Sequence, residues 1–152
     1  DEWLDDTPYE SIDHYHVIAR SAFGKLYLWG EYYNQKFTVS CPMHSIIAQD
    51  HKLETKSDDP DSTLRSFFAI SEPEDFDIDD QDGEPLFERA RAKFGDLEQD
   101  EMYGFKHAIA TGGQILLENL EKVKLDQHLT ILRQLAKPNI PYAGVKVPSP
   151  SI

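Results

Sequence analysis

HVIARSAFGKLYLWGEYYNQKFTVSCPMHSIIA, residues 16–48, is the stretch that sets the fold class. It holds four short runs rich in β-branched and aromatic residues: Val17 to Ala19, Lys25 to Trp29, Lys36 to Ser40 and Ser45 to Ala48. They are separated by Gly24, by Gly30 through Gln35, and by Pro42. Runs of this kind bounded by Gly, Asn and Pro predict an antiparallel meander. Side chains alternate across a strand, so Leu26 and Leu28 share one face while Lys25, Tyr27 and Trp29 share the other. One face is expected to pack inward.

Downstream the pattern turns helical. Asp61 or Ser62 suits the cap of a short helix carrying Leu64, Phe67 and Phe68. Glu72 to Glu84 is an acidic loop. Pro85 then sits at a first helical position and Gly95 at a stop, and Leu86, Ala90 and Phe94 recur every four residues between them. That apolar stripe is expected to dock on the sheet, leaving Arg89, Arg91 and Lys93 on a basic side. Tyr103 to Ala110 and Gln114 to Leu117 read as two strands joined through Thr111, Gly112 and Gly113. A last helix begins near Asp126, presents Leu129, Leu132, Leu135 and Ala136 on one face, and ends before Pro138. The expectation is an α+β fold, an antiparallel sheet covered by about three helices, with no internal repeat.

The 152 residues suit one core, since a domain of this length buries roughly 68–70% of its unfolded surface. With 39% hydrophobic and 11% aromatic residues the chain folds despite a mean hydropathy of −0.55. Its net charge is −13, and residues 50–101 carry most of it, with 18 acidic against 6 basic side chains. Such a field repels nucleic acid and anionic lipid but speeds encounter with a basic protein surface. The lone Cys41 can form neither an internal disulfide nor a thiolate cage, so a reducing cytoplasm is expected, with Cys41 a small buried filler rather than a nucleophile. No stretch approaches the ~18 apolar residues of a membrane span, and no signal peptide opens the chain. Asp1, Glu2, Trp3 and Leu4 read like the end of an amphipathic helix, which leads us to expect a further segment upstream.

Three constellations invite chemistry. Asp77, Asp79, Asp80, Asp82 and Gly83 resemble a calcium loop, but placing Gly83 at loop position six puts Ile78 at position one and Arg89 at position twelve, where carboxylates are required. The EF-hand reading fails; a solvated acidic loop, an acidic docking surface and a non-standard calcium site stay open. His14 and His16 are the one close histidine pair and face the same way on a strand, yet they supply at best two of four metal ligands. His107 and His128 are expected to be structural. Nucleophile and phosphate-loop motifs are absent. Trp29, Tyr32 and Tyr33 surround a hairpin tip, where core packing and interface anchoring compete as explanations. No catalytic residue, metal or cofactor is expected.

From Phe76 to Leu135 the sequence resembles the C-terminal domain of type VI secretion immunity proteins paired with DNase toxins. The landmarks are the acidic run from Asp79 to Gly83, then Pro85, Leu86, Phe87, Ala90, Phe94, Gly95 and Leu97. Asp100 through Phe105, Ala108, Ala110, Gly112 and Gly113 continue them, followed by Asn119, Leu120, Lys122, Val123, His128, Leu129, Leu132 and Leu135. Ala22 to Trp29 look like the first strand pair of the same domain. His107 departs from the pattern, which usually has proline there. The resemblance implies a GAD-like region upstream, with residues 1–12 its trailing edge, 13–137 the immunity domain and 138–152 a Pro-rich tail. It also implies a cytoplasmic bacterial protein that binds a cognate toxin with a basic surface, a DNase, in a stoichiometric complex. Candidate toxin-binding residues are Asp75, Phe76, Asp77, Asp79, Asp80, Asp82, Trp29, Tyr32 and Tyr33. The competing function is an adaptor or small-ligand-binding module with no toxin.

Overall fold

The computed structural model describes residues 2–48, 53–56 and 59–141. A run of turns over residues 2–12 leads into β1 (Tyr15–Arg20), β2 (Lys25–Gly30), β3 (Lys36–Ser40) and β4 (Ser45–Ile47). These four pair antiparallel in sequence order, the meander that the alternation predicts. Leu28 faces a core with Trp3, Tyr9, Tyr15, Phe37, Val39, Cys41 and Ile46, and Leu26 packs against its margin. The opposite face is covered too. Tyr27 is buried there against Phe67 and Phe76, with ring centroids 5.2 and 5.0 Å away.

Phe67 is the buried residue of α1 (Pro60–Ile70). The cap of α1 is Asp59, whose carboxylate accepts the Ser62 N–H at 3.2 Å, rather than Asp61 or Ser62. The shift has a simple cause: Pro60 lacks an N–H and fills the first helical turn, so the cap falls just before it. A 3-10 turn (Pro73–Phe76) and the acidic loop follow, and then α2 (Phe87–Phe94), which stops at Gly95 with φ 82°.

β5 (Glu101–Phe105) and β6 (Leu120–Lys124) form a separate two-stranded sheet. The second strand therefore lies later than Gln114 to Leu117, and residues 106–119 are a long connection holding two 3-10 turns. Asn119 explains the difference. Its side-chain amide donates to the carbonyls of His107 and Gln114 at 2.9 Å each, and its oxygen accepts the His107 N–H at 3.0 Å. These bonds close the loop on itself, so Ile115 and Leu117 pack as loop residues against the second core. That core comprises Phe23, Leu86, Ala90, Tyr103, Phe105 and Leu120, so the stripe of α2 docks on the two-stranded sheet.

α3 (Leu125–Leu135) follows β6 without a connecting residue. Leu132 is buried and Leu129 packs beside it in the first core, whereas Leu135 is largely exposed. The two cores interlock. Phe23, from the turn between β1 and β2, is fully buried in the second, while Ala108 and Leu132 enter the first. Along the seam the Tyr103 N–H donates to the Ala22 carbonyl at 2.8 Å, and Arg20 donates to the carbonyls of Gln99 and Glu101. Past α3, Asn139 pairs with the edge of β4. The rest of the tail, residues 142–152, lies outside the described residues.

Candidate functional site

The acidic segment sorts its carboxylates into two kinds. Asp77 Oδ1 accepts the N–H groups of Ile78, Phe87 and Leu86 at 2.7, 2.9 and 3.3 Å, which ties the start of the loop to the first turn of α2. Asp80 is buried. Its Oδ1 accepts the N–H groups of Asp82 and Glu84, and its Oδ2 meets Arg89 Nη2 at 2.6 Å. Arg89, and after it those two N–H groups, hold the Asp80 carboxyl below the usual carboxylate range. Asp75 accepts the Glu72 N–H and offers its own carbonyl to the Tyr27 hydroxyl, which fastens this end of the segment to the sheet. Asp79 and Asp82 are left exposed, their carboxylates without a hydrogen-bond partner among the described residues. Phe76 is half-buried against Tyr27 and Phe67.

The two arginines on the basic side of α2 are paired locally. Arg89 bonds Asp80 and also the carbonyls of Pro85 and Glu84. Arg91 pairs with Asp96 at 2.6 Å, and each holds the other in its charged form. Lys93 lies over the Phe94 ring. Among the described residues no side chain of this helix forms an ion pair with Asp79 or Asp82.

The aromatic tip lies at the end of β2. Asp13 accepts the N–H of Tyr32 on one oxygen and of Tyr33 on the other, at 2.9 and 2.8 Å. A β-carbon at Gly30 beneath it would crowd the Asp13 carboxylate, which would have to shift. Tyr32 is 62% exposed, stacks edge-on against Tyr33, and lies under Lys56 Nζ. Trp29 is half-buried and its indole N–H is enclosed without an acceptor among the described residues. The tip and the acidic segment are thus two separate features, one on the β2–β3 turn and the other before α2.

Cys41 is fully buried, and burial pushes its thiol well above the ordinary range, as befits a core filler. The buried His44 donates through Nε2 to the Leu132 carbonyl at 2.6 Å, His107 bonds the Thr111 carbonyl, and burial lowers the pKa of His128. The surface depression of about 520 Å³ beside Glu2, Asp5, Asp6 and Arg133 is charged and open, unlike an enclosed pocket with converging polar groups. The Thr130 hydroxyl donates to the Glu2 carboxylate at 2.9 Å at the exposed surface. His14 and His16 do meet a third donor, Glu31, which the sequence reading did not bring to them. The available signal was the register of the first hairpin, because pairing Tyr15 with Gly30 sets Glu31 opposite His14.

The described residues form an acidic α+β protein with exposed carboxylates at Asp79 and Asp82. Residues 61–136, half of the chain, match the family model described as T6SS immunity protein Tdi1, C-terminal, and residues 1–43 match the GAD-like domain. The chain belongs to this family of type VI secretion immunity proteins, its two matches standing in the order that the resemblance implied. The GAD-like match takes in β1, β2 and β3 as well as the N-terminal turns. Among solved structures the chain is similar to Atu4351 from Agrobacterium tumefaciens, with 27% identity and a TM-score of 0.71 over 80% of this chain. It spans 55% of that protein's length. No curated protein matches the chain. No helix among the described residues is long and apolar enough to cross a membrane.

Proposed function

We propose that this protein binds and neutralises a cognate secreted toxin, a nuclease with a basic surface, as a stoichiometric complex in the bacterial cytoplasm. Family membership supports the immunity role. The observation that carries the choice of partner is the pair Asp79 and Asp82, exposed on a loop that Asp77 and Asp80 hold rigid from beneath. A nuclease presents a basic cleft to phosphates, and a stiff acidic edge complements it without having to be ordered on binding. The aromatic tip at Tyr32 and Tyr33 supplies a second contact, its ring faces available at little entropic cost.

The test is co-purification with the product of the neighbouring gene, followed by a nuclease assay with and without this protein. A 1:1 complex that loses DNase activity is expected. A neighbouring product that retains its activity at a molar excess of this protein would end the reading. Asp79→Asn with Asp82→Asn should slow association severalfold at low salt and flatten its salt dependence.

A further inference from the structure

We propose that His14, His16 and Glu31 bind one first-row divalent transition metal ion, with zinc as the reference ion. This site is inferred without reference to toxin binding. The three donor atoms all lie within 4.8 Å of one another, and His16 Nε2 is already 3.3 Å from Glu31 Oε2. Two ligands of a tetrahedral ion, each at about 2.0–2.2 Å, stand roughly 3.3 Å apart. One pair is therefore at chelating distance and the third donor needs only a side-chain torsion to join it.

The backbone builds this convergence. His14 just precedes β1 and His16 is its second residue, two apart in extended chain, so both rings leave the same face, with centroids 5.0 Å apart and perpendicular. Antiparallel pairing of Tyr15 with Gly30 carries on one step further, where the Glu31 N–H donates to the His14 carbonyl at 2.9 Å. Glu31 is thereby fixed across from His14. The turn that holds it is stiffened by Asp13, which engages the next two N–H groups. The ligands belong to the start of an edge strand and to the turn between β2 and β3, and binding orders side chains alone.

Two imidazoles and one carboxylate suit zinc, nickel and copper, whereas calcium and magnesium demand oxygen shells. All three residues are exposed, so an ion enters without opening the fold and keeps its remaining positions for water or a partner's donor. A bare His–Glu surface contact would contribute little to stability, half-exposed as it is.

The experiment is calorimetric titration of chelator-treated, tag-free protein with zinc chloride, in parallel with His14→Ala/His16→Ala and Glu31→Gln. One saturable site of micromolar affinity is expected in the unaltered protein. Glu31→Gln should weaken it about tenfold and the double variant should abolish it, while magnesium gives no heat. Zinc should also raise the thermal midpoint of the unaltered protein and leave that of the double variant unmoved. The other four histidines are kept throughout. An isotherm shared by the unaltered protein and the double variant would overturn the assignment, as would the absence of saturable binding.

Discussion

The turn between β2 and β3 and the loop leading into α2 are built by the same device, aspartates whose oxygens collect backbone N–H groups, yet they differ in what the device leaves outside. Asp13 serves the first turn from a distance and leaves aromatic rings and Glu31 on the surface. In the second, Asp77 and Asp80 come from within the acidic run itself, so the run consumes some of its own charge and exposes the remainder at Asp79 and Asp82. A carboxylate's role is decided by the N–H groups it faces, and neighbours with the same side chain acquire opposite duties.

Replacing Asp80 should break this contrast most severely. Asp80→Ala strips Arg89 and two N–H groups of their acceptor, and we expect the largest fall in urea midpoint of any carboxylate here. Asp82→Ala costing as much would erase the distinction between frame and surface. The effect also has a pH signature. Because the folded pKa of Asp80 lies below its ordinary 3.8, its stabilisation is present above that value and is lost as pH falls through the folded one. Asp96 and Asp100, held down by Arg91 and Lys124, share this acid limb. Asp80→Asn should flatten the limb in acid-unfolding curves, and Asp82→Asn should leave it in place.

Removing Asp13 comes next. Asp13→Ala deletes three charge-assisted bonds, from the N–H groups of His14, Tyr32 and Tyr33, and should cost roughly 1–3 kcal/mol, with faster amide exchange at Tyr32 and Tyr33. Asp77→Ala removes a capping oxygen from α2 and should cost about 1 kcal/mol by chemical denaturation. The smallest effect on stability is expected for Asp79→Asn with Asp82→Asn, within about 0.5 kcal/mol. Those two substitutions sharpen the comparison, since a change in toxin association unaccompanied by a change in midpoint separates surface from frame.

The four-stranded meander was legible because alternation in KLYLW and KFTVS reports a strand without reference to the rest of the chain. The stripe of α2 was legible for the same local reason. The second hairpin was misplaced because Ile115 to Leu117 looks more strand-like than LEKVK, and the bonds that overrule this come from one amide, Asn119. The acidic run was plain in the sequence, but its division was not: the Asp77–Phe87 and Asp80–Arg89 contacts span ten and nine residues and depend on how the loop folds back. Tyr27 illustrates the same gap, since alternation assigns it to an outer face and only α1 and Phe76 reveal that this face is covered.

α3 is a shared wall. It starts where β6 stops, and its Leu132 closes the interior that the N-terminal turns and the meander surround, while Phe23 makes the reciprocal crossing. Melting either interior strips apolar lining from the other, so the two matched segments are expected to unfold in a single cooperative transition, with fluorescence and circular dichroism giving coincident curves. On that expectation neither sequence match would fold when cut from the other.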